Sequence, residues 1–171
     1  LGALAVCVGG PDAVDVLAGQ PWELAAAPPV IGVRLLGKLH GWAAPKDVFL
    51  RLSALLPAEG GAAGAVLEYF GPGVADLSCA GRAAICHMGS EVGAVASIFP
   101  HDARTGEYLA ATGRPDAAAA AEEFSDLLRP DEGCGYSRVV EVDLSDLEPH
   151  IGGPGPLSLG QARPLSEVVE A

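Results

Sequence analysis

Basic residues are scarce in this sequence, which has 10 Lys and Arg against 22 Asp and Glu and a formal net charge of −12 at pH 7. Because phosphate groups are bound by basic surfaces, this balance argues against nucleic acid as the main partner. It also disfavours docking on an anionic membrane surface. No run of apolar residues approaches the length of about 18 residues that a membrane-spanning helix needs. We therefore expect neither a nucleic-acid-binding protein nor a membrane protein.

Closely spaced cysteines are also lacking. The four cysteines, Cys7, Cys79, Cys86 and Cys134, form no C-x-x-C pair, which excludes a zinc ribbon and a complete iron–sulfur motif. No secretory signal is visible, so we expect reduced thiols in an intracellular protein. Most of these cysteines are expected to be buried as small apolar residues.

The sequence has neither a starting methionine nor a closing element. It begins at Leu1 inside an apolar run, and its only methionine is Met88. It stops at Ala171, directly after two valines and a glutamate. We therefore expect a fragment of a longer protein, with a processed mature chain as the alternative.

Two segments rich in Pro and Gly are predicted to be linkers. Pro28 and Pro29 cannot lie inside a helix or a sheet, and residues 152–156 have the sequence Gly-Gly-Pro-Gly-Pro. These linkers predict the end of a preceding domain plus a linker over residues 1–28, an α/β domain over residues 29–150 and an exit linker over residues 151–171.

Strand-like and helix-like patterns alternate between the two linkers. The predicted strands span residues 30–39, 62–73, 94–100 and 137–144, and the predicted helices span residues 44–56 and 116–130. The last helix is expected to bury a face that carries Ala120, Phe124, Leu127 and Leu128. Residues 101–104, His-Asp-Ala-Arg, are predicted to be a polar surface loop. Because strands alternate with helices, the sequence predicts a layered α/β fold.

The stretch GRAAICHMGSEVGA, residues 81–94, combines helical spacing with chemically versatile side chains. The apolar residues that recur at helical spacing are Ala84, Ile85, Met88, Val92 and Val95. This pattern predicts a helix that places His87 and Glu91 on one face, one turn apart. By itself the pair indicates either a structural hydrogen bond or part of a site, and it lacks the ligands to complete a metal site.

Three glycines, Gly81, Gly89 and Gly93, interrupt the same stretch. A glycine inside a helix costs about 1 kcal/mol relative to alanine. Several of them in one short helix indicate that another backbone or a ligand comes very close.

A series of motifs resembles a known family. The segments IGVRLLGKLHGWAAPKDV, EYFGPG, LSCAG, ICHMGSEVGA and SIFP occur in that order between residues 31 and 100. They resemble the second domain of the aconitases, the mitochondrial type in particular. The opening VGGPDAVDVLAGQPWEL is similar to the end of the first domain, and DEGCGY and DLSDLEPHIGGP are similar to the downstream part. The resemblance covers nearly the whole chain and implies an α/β domain of the aconitase type.

The resemblance implies a hydro-lyase that interconverts citrate and isocitrate through cis-aconitate at a 4Fe-4S cluster. One iron of that cluster acts as a Lewis acid that helps the substrate hydroxyl to leave. The three cluster cysteines of the family lie in a Gly-Ser-Cys-Thr loop and a Cys-x-x-Cys element, and this chain contains neither. The resemblance therefore implies that no residue here ligates metal and that the chain alone is inactive. It further implies the other aconitase domains as partners, a monomeric parent and a mitochondrial matrix location.

The resemblance implies a helix over residues 82–95, and two residues on it match family positions that face the cluster. Glu91 matches a glutamate that holds and charge-balances a catalytic histidine from another domain, as a carboxylate orients an imidazole elsewhere. His87 occupies the position of a family asparagine, where it is the candidate for contact with the cofactor. An imidazole is larger than a carboxamide and can carry charge, so His87 departs from the family pattern. The alternative to an enzyme segment is a diverged or free-standing α/β binding module without catalytic activity.

Overall fold

A computed structural model describes residues 10–21, 26–152 and 159–169. Within these residues the elements are α1 (Gly10–Leu17), β1 (Val30–Leu36), α2 (Pro45–Leu55), β2 (Val66–Phe70), α3 (Cys79–Met88), β3 (Ala96–Ile98), α4 (Ala103–Ala111), α5 (Pro115–Glu123), β4 (Arg138–Asp143), β5 (His150–Ile151), β6 (Arg163–Pro164) and α6 (Leu165–Val169). Short 3-10 turns join several of them. Every helix among the described residues is too short or too polar to span a bilayer.

Four strands form a parallel sheet in the order β3-β2-β1-β4. Parallel neighbours need crossover connections, and the connections from β1 to β2 and from β2 to β3 contain α2 and α3. The central strand β1 alternates between buried apolar residues and residues that face the other side. The α/β class expected from the sequence is confirmed as a mixed α/β fold with a four-stranded parallel sheet flanked by helices.

The core lies on one face of this sheet. Val33, Leu67 and Tyr69 are fully buried there, and the Tyr69 ring stacks on Phe99 at a centroid distance of 4.3 Å. Residues of the alternate set, such as Arg34, face the other side. The core face therefore supplies the platform on which α2 and α3 pack.

The opposite face carries a second aromatic stack, which lies over Gly32. The rings of Phe70 and Tyr136 are 5.1 Å apart at an interplanar angle of 18°. A Cβ atom at Gly32 would come within 2.7 Å of the Tyr136 ring and 2.9 Å of the Phe70 ring. The missing side chain of Gly32 is thus what lets both rings lie against the sheet.

Most predicted elements are present, but several are shorter than expected. β1 ends at Leu36 rather than near residue 39, because Gly37 adopts a left-handed φ of 64°. α5 ends at Glu123, and the expected buried face is wrong: Phe124 is 51% exposed and Leu127 is 79% exposed. The physical reason is that α5 lies against α4 at the surface, where none of the residues of α5 is buried.

The polar loop predicted at residues 101–104 is also wrong. Asp102 is the N-cap of α4, and its carboxylate accepts a hydrogen bond from the Thr105 amide at 3.1 Å. The preceding His101 is buried, with a relative exposure of 6%. A short polar motif at the start of a helix was mistaken for a surface loop.

The described part of residues 151–171 folds back on the domain. β5 and β6 pair in antiparallel fashion, and the Asp47 carboxylate of α2 accepts a hydrogen bond from the His150 amide at 2.9 Å. The segment predicted to be an exit linker therefore contains a strand and a helix, while residues 153–158 of that linker and Cys7 lie outside the described residues. The three-segment division remains a prediction.

Candidate functional site

The candidate site lies where α3 ends and a 3-10 turn begins. Ser78 caps the helix by accepting a hydrogen bond from the Gly81 amide at 3.1 Å. The α-helix ends at Met88, and a 3-10 turn over Gly89–Val92 follows it. The helix predicted over residues 82–95 thus begins and ends earlier than expected.

His87 and Glu91 lie on either side of this change in helical geometry. Both side chains are exposed. No hydrogen bond or ion pair joins them, and the Ser90 hydroxyl donates to the His87 carbonyl at 3.3 Å instead. The two residues therefore do not form a structural pair. They present an imidazole and a carboxylate outward from the surface of the domain.

The predicted apolar face of this helix is only partly correct. Ile85 is fully buried, whereas Ala84 is exposed. Arg82, which the sequence pattern did not single out, is completely buried. The side of this segment that faces the core thus carries Arg82, Ile85 and Gly89.

The glycines of this stretch are explained by close contacts within the chain itself. A Cβ at Gly81 would lie 2.6 Å from the Pro45 ring, and one at Gly89 would overlap the Ser97 hydroxyl. Gly93 adopts a left-handed φ of 80° and ends the turn. The expectation of a close approach is correct, and the approaching atoms at these positions belong to the protein itself.

Substituting Gly89 with alanine is expected to lower the free energy of unfolding by about 1–3 kcal/mol, because an added methyl group overpacks a filled core. The measurement is urea-induced unfolding of the chain followed by far-ultraviolet circular dichroism. Adding Ser97→Ala removes the overlapping oxygen, so the double variant should recover most of the loss.

Gly106→Ala in α4 is the matched control, since the nearest atom to its Cβ would be in His101 at 3.9 Å. There the added methyl group should raise stability by up to about 1 kcal/mol, as helix propensity predicts. Equal losses at Gly89 and Gly106 would contradict the packing explanation.

Arg82 anchors the first turn of α3 to two neighbouring elements. Its Nε donates to the Leu77 carbonyl at 3.1 Å and its Nη2 to the Val74 carbonyl at 3.0 Å. Its Nη1 lies 3.4 Å from the Thr105 hydroxyl, and Nη2 also forms an ion pair with Asp102. A fully buried guanidinium is thus satisfied by four acceptors, as a buried charge requires.

The ion pair sets the charge state of Asp102. Partial burial by itself would raise the pKa of this carboxyl group, but the hydrogen bond and the positive charge of Arg82 outweigh it. The pKa of Asp102 is therefore lowered below its ordinary value. This carboxylate remains ionised while it both caps α4 and neutralises Arg82.

The described cysteines do not form a cluster site. Cys79 is buried, Cys86 is partly buried and Cys134 is exposed. Burial raises the pKa of Cys86 to about 11, so this thiol is protonated at neutral pH. Among the described residues no group of three or more His, Cys, Asp or Glu side chains could hold a metal ion. These residues therefore do not fit the thiolate ligand set of a 4Fe-4S cluster.

These features place the chain in the class of parallel α/β domains, with an imidazole and a carboxylate exposed at the end of a glycine-rich helix. The aconitase family model (aconitate hydratase) matches residues 1–171, and the chain belongs to this family. The resemblance inferred from the ordered motifs is confirmed.

Curated relatives agree with this assignment. The chain is 55% identical over 170 residues to an aconitate hydratase, mitochondrial, from Gracilaria gracilis. It is 52% identical over 171 residues to the protein of the same name from Schizosaccharomyces pombe. These alignments cover 99% and 100% of this chain but 21% of each relative. The chain thus spans about a fifth of the length of the curated relatives it matches.

Proposed function

We propose that this chain is the second-domain segment of an iron–sulfur hydro-lyase that interconverts citrate and isocitrate through cis-aconitate. The observation that carries the proposal is the family match over all 171 residues, at 55% identity to a mitochondrial aconitate hydratase. The proposed division has residues 1–28 ending a preceding domain, residues 29–150 forming the α/β domain and residues 151–171 leading to a following one. These relatives are named as mitochondrial proteins, which supports a mitochondrial location, and we propose the matrix as the site of action.

Glu91 is proposed to orient a catalytic histidine from another segment of the whole protein. Its carboxylate is exposed and has no hydrogen bond or ion pair with another described residue. A carboxylate in that state can accept the ring N–H of an incoming imidazole, which fixes the tautomer and stabilises the protonated form. Glu91 would thus be a positioning residue that does not itself transfer the proton.

His87, at the position of the family's asparagine, is proposed to lie on the same surface of the site as Glu91. Its exposed imidazole lies one residue before the end of α3, so it can donate one hydrogen bond towards a neighbouring group. The 4Fe-4S cluster, when bound, supplies a Lewis-acidic iron. Its ligands are proposed to lie outside this chain, and the other aconitase domains are the partners of this segment in a monomeric parent.

The test compares the 171-residue chain with the protein translated from the complete reading frame. After anaerobic reconstitution with iron and sulfide, the complete protein is expected to convert citrate to isocitrate. The chain alone is expected to show no turnover and no cluster absorbance. Cluster absorbance with turnover by the chain alone would overturn the assignment of the ligands, and a complete protein that gains a cluster but stays inactive would overturn the proposed activity.

A diverged binding module is the second candidate, and the observation that favours it is His87 at the asparagine position. The variant His87→Asn, made in the complete protein, distinguishes the two candidate functions. If the unmodified protein is inactive and this variant is active, the natural protein is a diverged member. If both are active, the enzyme assignment holds.

A further inference from the structure

A cavity of about 370 Å³ lies between α3 and α4, beside the turn that leads from α4 into α5. The residues that line it are Cys79 and Ala83 of α3, Thr105, Tyr108 and Leu109 of α4, and Arg114 of the turn. The volume is in the range of small-molecule pockets, which span about 300–1,000 Å³. Cys79 begins α3, whereas Glu91 lies beyond the last residue of that helix. The cavity is therefore separate from the candidate site at the other end of α3.

The lining of this cavity carries a single positive charge. Of the six described residues in the lining, Arg114 alone has a formal charge. This residue is exposed, and it forms no ion pair with a carboxylate in the described part of the chain. By contrast, Arg34, Arg82 and Arg129 each have a carboxylate partner. The charge of Arg114 is therefore available to an anion that enters the cavity.

Contacts within the chain position Arg114 without using all of its hydrogen-bond donors. The Thr112 hydroxyl oxygen accepts hydrogen bonds from Nη2 at 3.0 Å and from Nε at 3.4 Å. The Cζ atom lies 5.8 Å from the centre of the Tyr108 ring, which is the range of a cation–π contact. Among the described residues, Nη1 has no acceptor. An arginine held in this way offers N–H donors to a carboxylate, whose shape a guanidinium matches.

The other walls of the cavity are apolar or already hydrogen-bonded. Leu109 is half-buried and Ala83 is exposed, so both present carbon atoms to the cavity. Burial raises the pKa of the Cys79 thiol, so this group is protonated and neutral at pH 7. The Thr105 hydroxyl lies 3.4 Å from Arg82 Nη1 and belongs to the buried network described above. The cavity thus offers a ligand an apolar surface with one cation at its edge.

We propose that this cavity binds a carboxylate of single charge with a small apolar body, such as an aromatic or a branched aliphatic acid. The carboxylate accepts hydrogen bonds from Arg114, and the body lies against Leu109 and Ala83. Citrate does not fit this description, because one cation would face three carboxylates in a chain whose net charge is already −12. The proposed site is independent of the hydro-lyase activity proposed above.

The test compares 4-fluorobenzoate with 4-fluorobenzamide, which have the same ring and nearly the same shape but differ in charge. Trifluoroacetate is the third probe, because it carries the charge without the ring. Binding is measured from the broadening of the fluorine NMR line of each probe as protein is added. The titrations are run on the protein from the complete reading frame, with citrate in excess so that the proposed substrate site is filled, and on the 171-residue chain.

The acid 4-fluorobenzoate is expected to bind both proteins in a saturable manner and about five-fold more tightly than 4-fluorobenzamide, the upper end for an exposed ion pair. Trifluoroacetate should bind more weakly than 4-fluorobenzoate, because it lacks the apolar body. Arg114→Gln should abolish the preference for the acid over the amide. Arg104→Gln, the same substitution at an exposed arginine of α4 outside the lining, should leave that preference unchanged.

The proposal is overturned if 4-fluorobenzoate shows no saturable binding, or if its affinity equals that of the amide or of trifluoroacetate. Binding to the 171-residue chain that the complete protein lacks would also overturn it, because another part of the parent protein would then fill the cavity. Should Arg114→Gln fail to fold, the comparison of the probes on the unmodified protein still decides. Enzymatic turnover is not measured in this experiment, so its result is separate from that of the proposed activity.

Discussion

Replacing Arg82 with methionine is expected to lower the free energy of unfolding by about 3 kcal/mol, the lower end of the range for breaking a buried ion pair. The substitution leaves the Asp102 carboxylate without its ion-pair partner. It also leaves the Val74 and Leu77 carbonyls without the hydrogen-bond donor that Arg82 supplies. The lower end applies because the Asp102 side chain keeps 29% of its exposure. Urea-induced unfolding of the chain measures the loss.

Two comparisons test that explanation. Arg82→Met combined with Asp102→Ser removes the charge but keeps a helix-capping hydroxyl, so it should recover more than half of the loss. Arg34→Met breaks an ion pair with Glu141 that is 3.0 Å long and about half exposed, and it should cost less than about 1 kcal/mol. If Arg82→Met costs no more than Arg34→Met, the buried network does not hold α3 in place.

The contribution of the Arg82–Asp102 ion pair to the free energy of unfolding depends on pH. The folded-state pKa of Asp102 is lowered, so its stabilisation is complete above the unfolded-state pKa of about 4 and is lost as the pH falls through the lower folded-state pKa. The difference in stability between the unmodified chain and Arg82→Met should therefore narrow between pH 5 and pH 2, by about the contribution of one ionisation. A difference that stays constant over this window would show that Asp102 is not the partner that matters.

Glu91→Gln in the complete protein is expected to lower kcat by about 10–100-fold, the range that loss of a histidine-orienting partner causes at metal sites. Glutamine keeps the size of the side chain but removes the charge that stabilises a protonated histidine. KM should change little, because the proposed role is to position the catalytic group. Steady-state kinetics with citrate give both parameters.

The dependence of kcat on pH distinguishes positioning from a structural effect. Without the carboxylate, the histidine loses its proton at a lower pH. Because the proposed role needs the protonated histidine, the alkaline limb of the profile should move to lower pH. Glu107→Gln, at an exposed position in α4, should change neither kcat nor the profile. An unshifted profile for Glu91→Gln would remove Glu91 from the proposed role.

The sheet was the most predictable part of the molecule. β1, β2 and β4 carry β-branched or aromatic runs, and their buried alternate residues set the face that meets the core. α2 was predicted within one residue at each end, because Pro45 suits a first turn and the apolar spacing is regular. Local patterns sufficed for these three strands and for α2, each of which buries one regular apolar face.

The connection between β3 and β4 was predicted least well, and the reason lies in long-range pairing. Asp102 and Arg82 are 20 positions apart, so nothing near either residue reveals that each is partly satisfied by the other. A polar motif at residues 101–104 therefore looked like surface, and α4 was missed. For the candidate site, spacing singled out His87 and Glu91, but it did not show that α3 ends at Met88 and that Glu91 lies in the 3-10 turn that follows.

The central position of β1 has a consequence for how the chain folds as it is synthesised. One neighbour of β1 arrives within about 40 residues, but the other is β4, and the Val30 carbonyl must wait 107 positions for the Ser137 hydroxyl. Until then β1 is an unpaired edge, the kind of template on which chains associate wrongly. A nascent chain that has not yet emerged beyond residue 143 holds three strands with that edge open. The interval between the synthesis of β3 and that of β4 is therefore the period in which this edge is open to wrong association.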